Sequence, residues 1–246
     1  MRLALFADIH SNLLALEACL RHARQEGVDA TAFLGDLVGY GADPQAVLEI
    51  VAEHVAAGAV VVLGNHDEAV GAAETALNED ASAAIAWTRA QLAPAQREFL
   101  AGLPLLVRRE EVCYVHASAR EPERWTYVTD DIAAARSLQA ADSIWTFCGH
   151  VHDQVLYYQG AGRRLMAFRP TPGVAIPVGR HRRWLAIVGS AGQPRDGNPA
   201  AAYAIFDSER AQLVFHRVPY DHAQAAARVR AAGLPEMLAA RLERGV

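Results

Sequence analysis

Lysine is absent from this chain: all 23 Lys-or-Arg positions are arginine. That excludes a phosphate-loop lysine, a Schiff-base lysine and a Ser-Lys dyad together. Cysteine is scarce, at three residues. Cys19, Cys113 and Cys148 are widely spaced with no CxxC, so neither a zinc knuckle nor a redox pair is available. Cys113 and Cys148 sit in apolar runs, as buried inert thiols do. No apolar run approaches the roughly 20 residues that cross a bilayer. The N-terminus enters LALF and Asp8 directly, without the regions of a signal peptide. A cytoplasmic protein without a membrane partner is expected. A basic surplus is missing too: the formal charge is -5, which gives no electrostatic case for stable nucleic-acid binding. The local cluster Arg180-His181-Arg182-Arg183 reads as solvated surface.

What is present is a series of five short apolar runs, LALFADIH, TAFLGD, VVVLGNHD, VCYVHAS and WTFCGHVH. Each ends in a residue type that binds metal, and none carries Ser-x-Gly or a Gly-rich phosphate loop. They place Asp8, His10, Asp36, Asn65, His66, His116, His150 and His152 at the ends of expected buried strands. Asp8 and His10 are two apart, so a strand continuing to His10 would turn both to one side; His150 and His152 repeat the device. At strand C-termini such residues face the crevice where open α/β sheets bind ligands.

Around these runs the first half alternates strand and helix. Ser11 or Asn12 caps a helix with Leu13, Leu16, Cys19 and Leu20 on one face. A strand spans Ala30 to Leu34, and Asp43-Pro44 supplies an N-cap and first-turn proline for the next helix. Ala59 to Leu63 is continuous and β-branched, as in a strand covered on both faces. Residues 74 to 101 read as helical, restarting at Pro94. A hairpin turns at Arg108 to Glu111, a helix spans 130 to 140, and a strand spans Ser143 to Cys148. The strands QVLYYQ, RLMAF, VAIPV, WLAIVG, AAYAIFD and QLVFHRV follow, with turns at Gln159 to Gly162 and Asp207 to Arg210. Two short helices broken at Gly233-Leu234-Pro235 end the chain. The fold class expected is α/β, two packed mixed sheets flanked by helices in a four-layer α/β/β/α sandwich. No linker interrupts residues 8 to 152, so 1–246 is expected to form a single domain.

Carboxylate, amide and imidazole ligands without thiolate favour Mn, Zn, Fe, Ni or Co over a structural zinc site. Seven ligands are too many for one ion that keeps an open position, whereas two ions sharing a carboxylate use them well. Two divalent ions less two aspartates and one hydroxide leave about one positive charge, which suits an anionic phosphate ester.

DxH, GD, GNHD, a lone His and GHxH, in this order, resemble the calcineurin-like metallophosphoesterase superfamily over roughly residues 3 to 153. Gly39-Tyr40-Gly41 and the segment Gly189 to Gly197 are similar to a group of small bacterial stand-alone members, called phosphodiesterases or phosphatases. The resemblance implies that Asp8, His10, Asp36 and His152 hold one metal ion. Asp36, Asn65, His116 and His150 would hold a second, with Asp36 bridging. It further implies that His66 reaches the substrate, oriented by Asp67, while a dimetal-bridging hydroxide attacks phosphorus directly. The substrate expected is a small phosphate ester or nucleotide-like molecule. Arg120 and Arg195 are candidates for phosphate contacts through their guanidinium forks, and Tyr40 for stacking. A homo-oligomer is left open.

Three departures from close relatives stand out. His116-Ala117-Ser118-Ala119-Arg120 replaces a His-Gly-Ser-Pro-Arg segment, Val151 replaces a Thr, and Ile187-Val188 replaces Asn-Pro. The loops around Ala117 and Ile187 are therefore expected to shape the pocket's outer edge. The competing reading is a non-catalytic metal-binding scaffold of the same fold. A nuclease would want a basic groove, which the sequence lacks.

Overall fold

The computed structural model describes residues 1–71, 78–160 and 165–246. Its first half runs β1 (Arg2–Phe6), α1 (Leu13–Gln25), β2 (Ala30–Phe33), α2 (Pro44–Ala56), β3 (Val60–Val61), α3 (Asn65–Gly71), α4 (Glu79–Gln91) and α5 (Pro94–Ala101). Next come β4 (Leu106–Arg109), β5 (Val112–Val115), a 3-10 turn (Pro122–Arg124), α6 (Asp131–Ala141) and β6 (Trp145–Cys148). The remainder comprises β7 (Gln154–Gln159), β8 (Leu165–Phe168), β9 (Ala175–Pro177), β10 (Trp184–Val188), β11 (Ala201–Asp207), β12 (Gln212–Val218), α7 (His222–Ala231) and α8 (Glu236–Arg244).

These strands make two six-stranded mixed sheets, ordered β3-β2-β1-β11-β12-β9 and β4-β5-β6-β10-β7-β8. Strand alternation explains why the sheets stack. In β1, Leu3 and Leu5 enter the core between the sheets, whereas Ala4 and Phe6 pack outward under α1 and α2. In β10, Trp184, Ala186 and Val188 point to the inter-sheet core, while Leu185 and Ile187 lie under α6. Both faces are covered, which is why these strands read as unbroken apolar runs. The four-layer sandwich expected from the sequence is the architecture observed.

Several local expectations need correction. α3 was hidden in sequence, because the run before Asn65 was read as a strand ending in a turn. Asp43 occupies the N-cap position of α2 without making a side-chain cap bond; its carboxylate pairs with Arg228 at 3.1 Å instead. Of the helix expected from residue 74, positions 74–77 lie outside the described residues, as do Ala161 and Gly162 of the expected turn. Ile187 and Val188 are fully buried core residues of β10. They do not edge a pocket, because their strand is central to its sheet. The arginine cluster lies at the opposite end of β10 from the strand termini that matter below. Arg180 pairs there with Glu111, and Arg183 with Asp142 at 3.1 Å.

Parallel pairing positions the site. β1, β2 and β3 are mutually parallel, and so are β5, β6 and β10. The C-termini of five of these strands (β1, β2, β3, β5 and β6) thus gather at one end of the sandwich, with the Asp-, Asn- and His-bearing motifs just beyond. Phe206 anchors the core beneath, 1% exposed, with ring centroids 4.9 Å from Trp145 and 5.2 Å from Phe147. Phe206→Ala is expected to lower stability by about 3–5 kcal/mol in urea denaturation; a loss below about 1 kcal/mol would contradict this packing.

Candidate metal centre

The strands end before the ligands, which corrects the expectation that strand alternation aims them. β1 stops at Phe6, β2 at Phe33 and β6 at Cys148. Asp8, His10, Asp36, His150 and His152 instead adopt the left-handed backbone, with φ of 51°, 49°, 51°, 66° and 67°. Each such residue costs of order 1–3 kcal/mol and persists only where its surroundings over-determine it. The surroundings do so through backbone bonds between loops. The amides of Asp8, His10 and Ser11 donate to the carbonyls of Gly35, Asp36 and Leu37 at 3.1, 2.9 and 3.0 Å. Ala191 and Gly192 donate to the carbonyls of Ala7 and Asp8, both at 2.9 Å, and the Ser190 hydroxyl donates to that of Asp8 at 2.7 Å. Buried loop backbone is satisfied by other loops.

Two glycines permit the crowding. A Cβ at Gly64 would overlap the amide and carboxylate of Asp36, and one at Gly149 would overlap the carboxylate of Asp8. This is the physical need behind the glycines of GNHD and GHVH.

The side chains converge in three overlapping groups: Asp8, His10 and His152; His10, Asp36 and His66; and Asp36, His116 and His150. Asp36 Oδ2 lies 3.7 Å from His10 Nε2 and 3.4 Å from His116 Nε2, between the two. His152 Nε2 is 3.4 Å from Asp8 Oδ1, and Asn65 Oδ1 is 3.1 Å from His116 Nε2. The structure therefore brings together all seven residues expected as ligands.

Each imidazole is held by a backbone carbonyl on its other nitrogen. His10 Nδ1 meets Val38 O at 3.3 Å, His116 Nδ1 meets Leu34 O at 2.8 Å and His152 Nδ1 meets Gln193 O at 2.5 Å. His150 is reversed, with Nε2 on Trp125 O at 2.9 Å. A carbonyl only accepts, so in all four rings that nitrogen carries the proton. The opposite nitrogens face each other in pairs 3.1 Å apart, His10 Nε2 with His152 Nε2 and His116 Nε2 with His150 Nδ1, and in the neutral rings they present bare lone pairs. Two lone pairs at that distance repel unless a cation lies between or beside them. This ring-plus-carbonyl arrangement is how proteins orient metal-binding histidines.

Electrostatics agrees for three of the four rings; His116 and Asp8 differ, each holding a proton that metal binding would displace. Burial holds His10 and His152 well below the ordinary histidine range and His150 down to about 3, the neutral form that binds metal. Burial also lowers His116, but the Asp36 carboxylate outweighs it and pushes that ring up to about 9. Asp36 is held well below the usual carboxylate range: burial opposes this, and His116 and His66 overcome it. Burial raises Asp8 to about 7.

His66 lies beside the ligands, its ring edge-on to His10 at 4.9 Å and its amide donating to Asp36 Oδ1 at 2.8 Å. Asp67 does not orient it. The Asp67 carboxylate accepts from the amides of Val38 and Gly64, both at 3.1 Å, and His66 Nδ1 is buried without a partner. Asp67 instead clamps the loops on either side of Asp36. Tyr40 is buried, its ring 4.6 Å from His10 and 4.4 Å from His66, so it walls the histidines instead of offering an open stacking face. The Arg195 guanidinium sits over that ring at 5.9 Å and bonds Gln193 at 3.1 Å, placing it at the cluster. Arg120 is exposed, 3.6 Å from Glu121, and lines a neighbouring cleft.

Trp125, Tyr127 and Gln193 had no role in the sequence reading. Trp125 fixes His150 by its carbonyl, and its indole donates to Glu68 at 2.9 Å. Tyr127 stacks on His150 at 3.9 Å and 21°. Gln193 shows why the Gly189–Gly197 segment matters: it carries the carbonyl that fixes His152.

A two-sheet sandwich with a buried Asp/His cluster at one end offers side chains that could hold metal ions. The profile of the calcineurin-like phosphoesterase superfamily domain matches residues 1–211, and the chain belongs to that superfamily. An uncharacterised protein of Methanocaldococcus jannaschii is 32% identical over 250 aligned positions, covering 98% of this chain and 96% of that protein. The crystal structure of a metallophosphoesterase from Sphaerobacter thermophilus superposes with a TM-score of 0.90 at 37% identity, over the full length of both chains. A hypothetical protein from Pyrococcus horikoshii shares the fold at a TM-score of 0.81 and 18% identity, over 100% of this chain and 98% of that one. Among the described residues no helix is long and apolar enough to cross a membrane.

Gly149→Ala is expected to cost about 1–3 kcal/mol by forcing Asp8 aside and to make the protein lose metal to chelators sooner. Unchanged denaturation and metal retention would contradict the close approach.

Proposed function

We propose that this protein hydrolyses phosphodiester or phosphomonoester bonds with two divalent transition-metal ions, drawn from Mn, Zn, Fe, Ni or Co. The observation that carries the reading is the inward turn of four imidazole lone pairs, each ring braced by a carbonyl, onto two aspartates. Asp8, His10, Asp36 and His152 hold one ion; Asp36, Asn65, His116 and His150 hold the other. The position of Asp36 Oδ2 between His10 and His116 supports a bridging role. When bound, such ions lower the pKa of an attacking water and draw charge off the phosphoryl oxygens.

The chain's own contribution is positioning and a proton donor. Burial lowers the His66 pKa against the pull of Asp36, so the ring meets substrate neutral. Its Nδ1 faces Gly39 without a partner. Burying a bare acceptor is better tolerated than burying an orphan N–H, so the proton sits on Nε2. That N–H then donates a hydrogen bond to a phosphoryl or leaving oxygen, and the negative charge of the bound ester favours protonation of the ring, the form that can pass a proton to the leaving oxygen. Arg195, with Nε buried and unpaired, is the guanidinium best placed to meet a phosphate. No side chain is needed as a covalent phosphate acceptor, so water attacks phosphorus in line. A purely structural scaffold gives no reason for His66 to stand beside the ligands without a hydrogen-bond partner for Nδ1.

The test is His66→Ala. It should keep its metal while turnover of bis(4-nitrophenyl) phosphate falls by about 10²–10⁴, and wild-type turnover in isotopically labelled water should place one solvent oxygen in the product. Full activity in the variant removes His66 from the mechanism, and a trapped phosphorylated side chain removes direct attack.

A further inference from the structure

The strap between β5 and α6 does more than hold His150. Its 3-10 turn is flanked by left-handed residues, Glu121 at φ 49° and Trp125 at φ 51°. Two residues beyond Trp125, the Tyr127 ring lies flat on His150 yet remains 51% exposed. One face therefore covers a histidine of the metal centre and the other faces outward. That outward side borders a cleft of about 810 Å³, part of it open to solvent, lined also by Arg120, Thr126, Ile132 and Arg136.

The cleft's chemistry is specific. Ile132 is 60% exposed, an apolar residue at the start of α6 with nothing over it among the described residues. Arg136 forms no ion pair or side-chain hydrogen bond among the described residues. The two acids nearby are already engaged: Glu121 lies 3.6 Å from Arg120 and 3.1 Å from Arg124, and Asp130 accepts the Ala133 amide at 2.7 Å as the cap of α6. An open aromatic face, an apolar side chain and a free guanidinium thus line a cleft directly beside the cluster.

We propose that this cleft is the subsite for the organic group of the ester, and that it selects a planar heterocycle, making nucleoside phosphates the preferred class. The proposal rests on the two-metal phosphoesterase reading, since it takes the phosphate to lie at the cluster. The ring of the substrate stacks on the outer face of Tyr127 with Ile132 against its edge. Arg136 meets its polar rim or a further phosphate. Tyr127, Ile132 and Arg136 are then specificity residues, distinct from the groups that handle the phosphoryl centre.

Binding tests this. Adenosine 5′-monophosphate, ribose 5-phosphate and inorganic phosphate are titrated calorimetrically into manganese-loaded and metal-stripped protein, and into manganese-loaded His66→Ala, in which slow turnover does not mask the heat of binding. The base should tighten binding about tenfold over ribose 5-phosphate. Tyr127→Ala and Ile132→Asp should each bring that ratio to near one, with metal content unchanged in Ile132→Asp, which does not touch His150. Equal affinity for the two esters in the wild type, or a ratio that survives both substitutions, overturns the subsite. Absence of metal-dependent phosphate binding would instead strike the two-metal reading, and absence of any binding would overturn both.

Discussion

The arrangement that everything else serves is the placement of four imidazole lone pairs and two carboxylates within a few ångströms, out of water. Such a cluster is electrostatically unfavourable by itself, because burial and mutual repulsion act against it. The chain opposes that cost with backbone chemistry. Four carbonyls set the tautomers, and the His150 amide donates to both oxygens of Asp8 at 3.0 and 2.9 Å. Loops from four parts of the sequence bond to one another instead of to solvent. Free energy that a conventional core keeps as stability is here committed to holding ligands in sparsely populated conformations.

The sandwich makes that possible by being rigid where the loops are strained. Inter-sheet aromatics and the helices on each outer face leave the strand ends little freedom. Parallel connections bring the ends of β1, β2 and β3 together, and those of β5 and β6 across from them. The Asp/His cluster therefore sits at the seam between sheets, fed by both. The same logic separates two duties on the rim. The segment after β10 secures His152 and the Asp8 backbone, whereas the strap before α6 secures His150 and continues into a cleft of different character.

Much of this was legible in the sequence. Continuous apolar runs ending in Asp, Asn or His marked both strands and ligands, and their order pointed to the superfamily. What could not be read has physical causes. Left-handed φ at Asp8 or His150 leaves only a weak trace in residue type, because Asp and His adopt it more often than other side chains but glycine is the usual signal. The carbonyls of Val38, Leu34, Gln193 and Trp125 carry no side-chain signature at all. Asp67, adjacent to His66 in sequence, looked like its partner, yet the α3 helix turns it toward two amides. Ile187 looked like a pocket residue by its position before Gly189, but strand β10 buries it. Tyr127 lies outside every motif, and only the fold brings it onto His150.

The bridging role proposed for Asp36 requires two ions. Anomalous diffraction from crystals of the manganese-loaded protein tests it most directly. Two peaks about 3.5–4 Å apart are expected, one against Asp8, His10 and His152 and the other against Asn65, His116 and His150, with Asp36 touching both. A single peak at full loading, or ions bound away from Asp36, would contradict it.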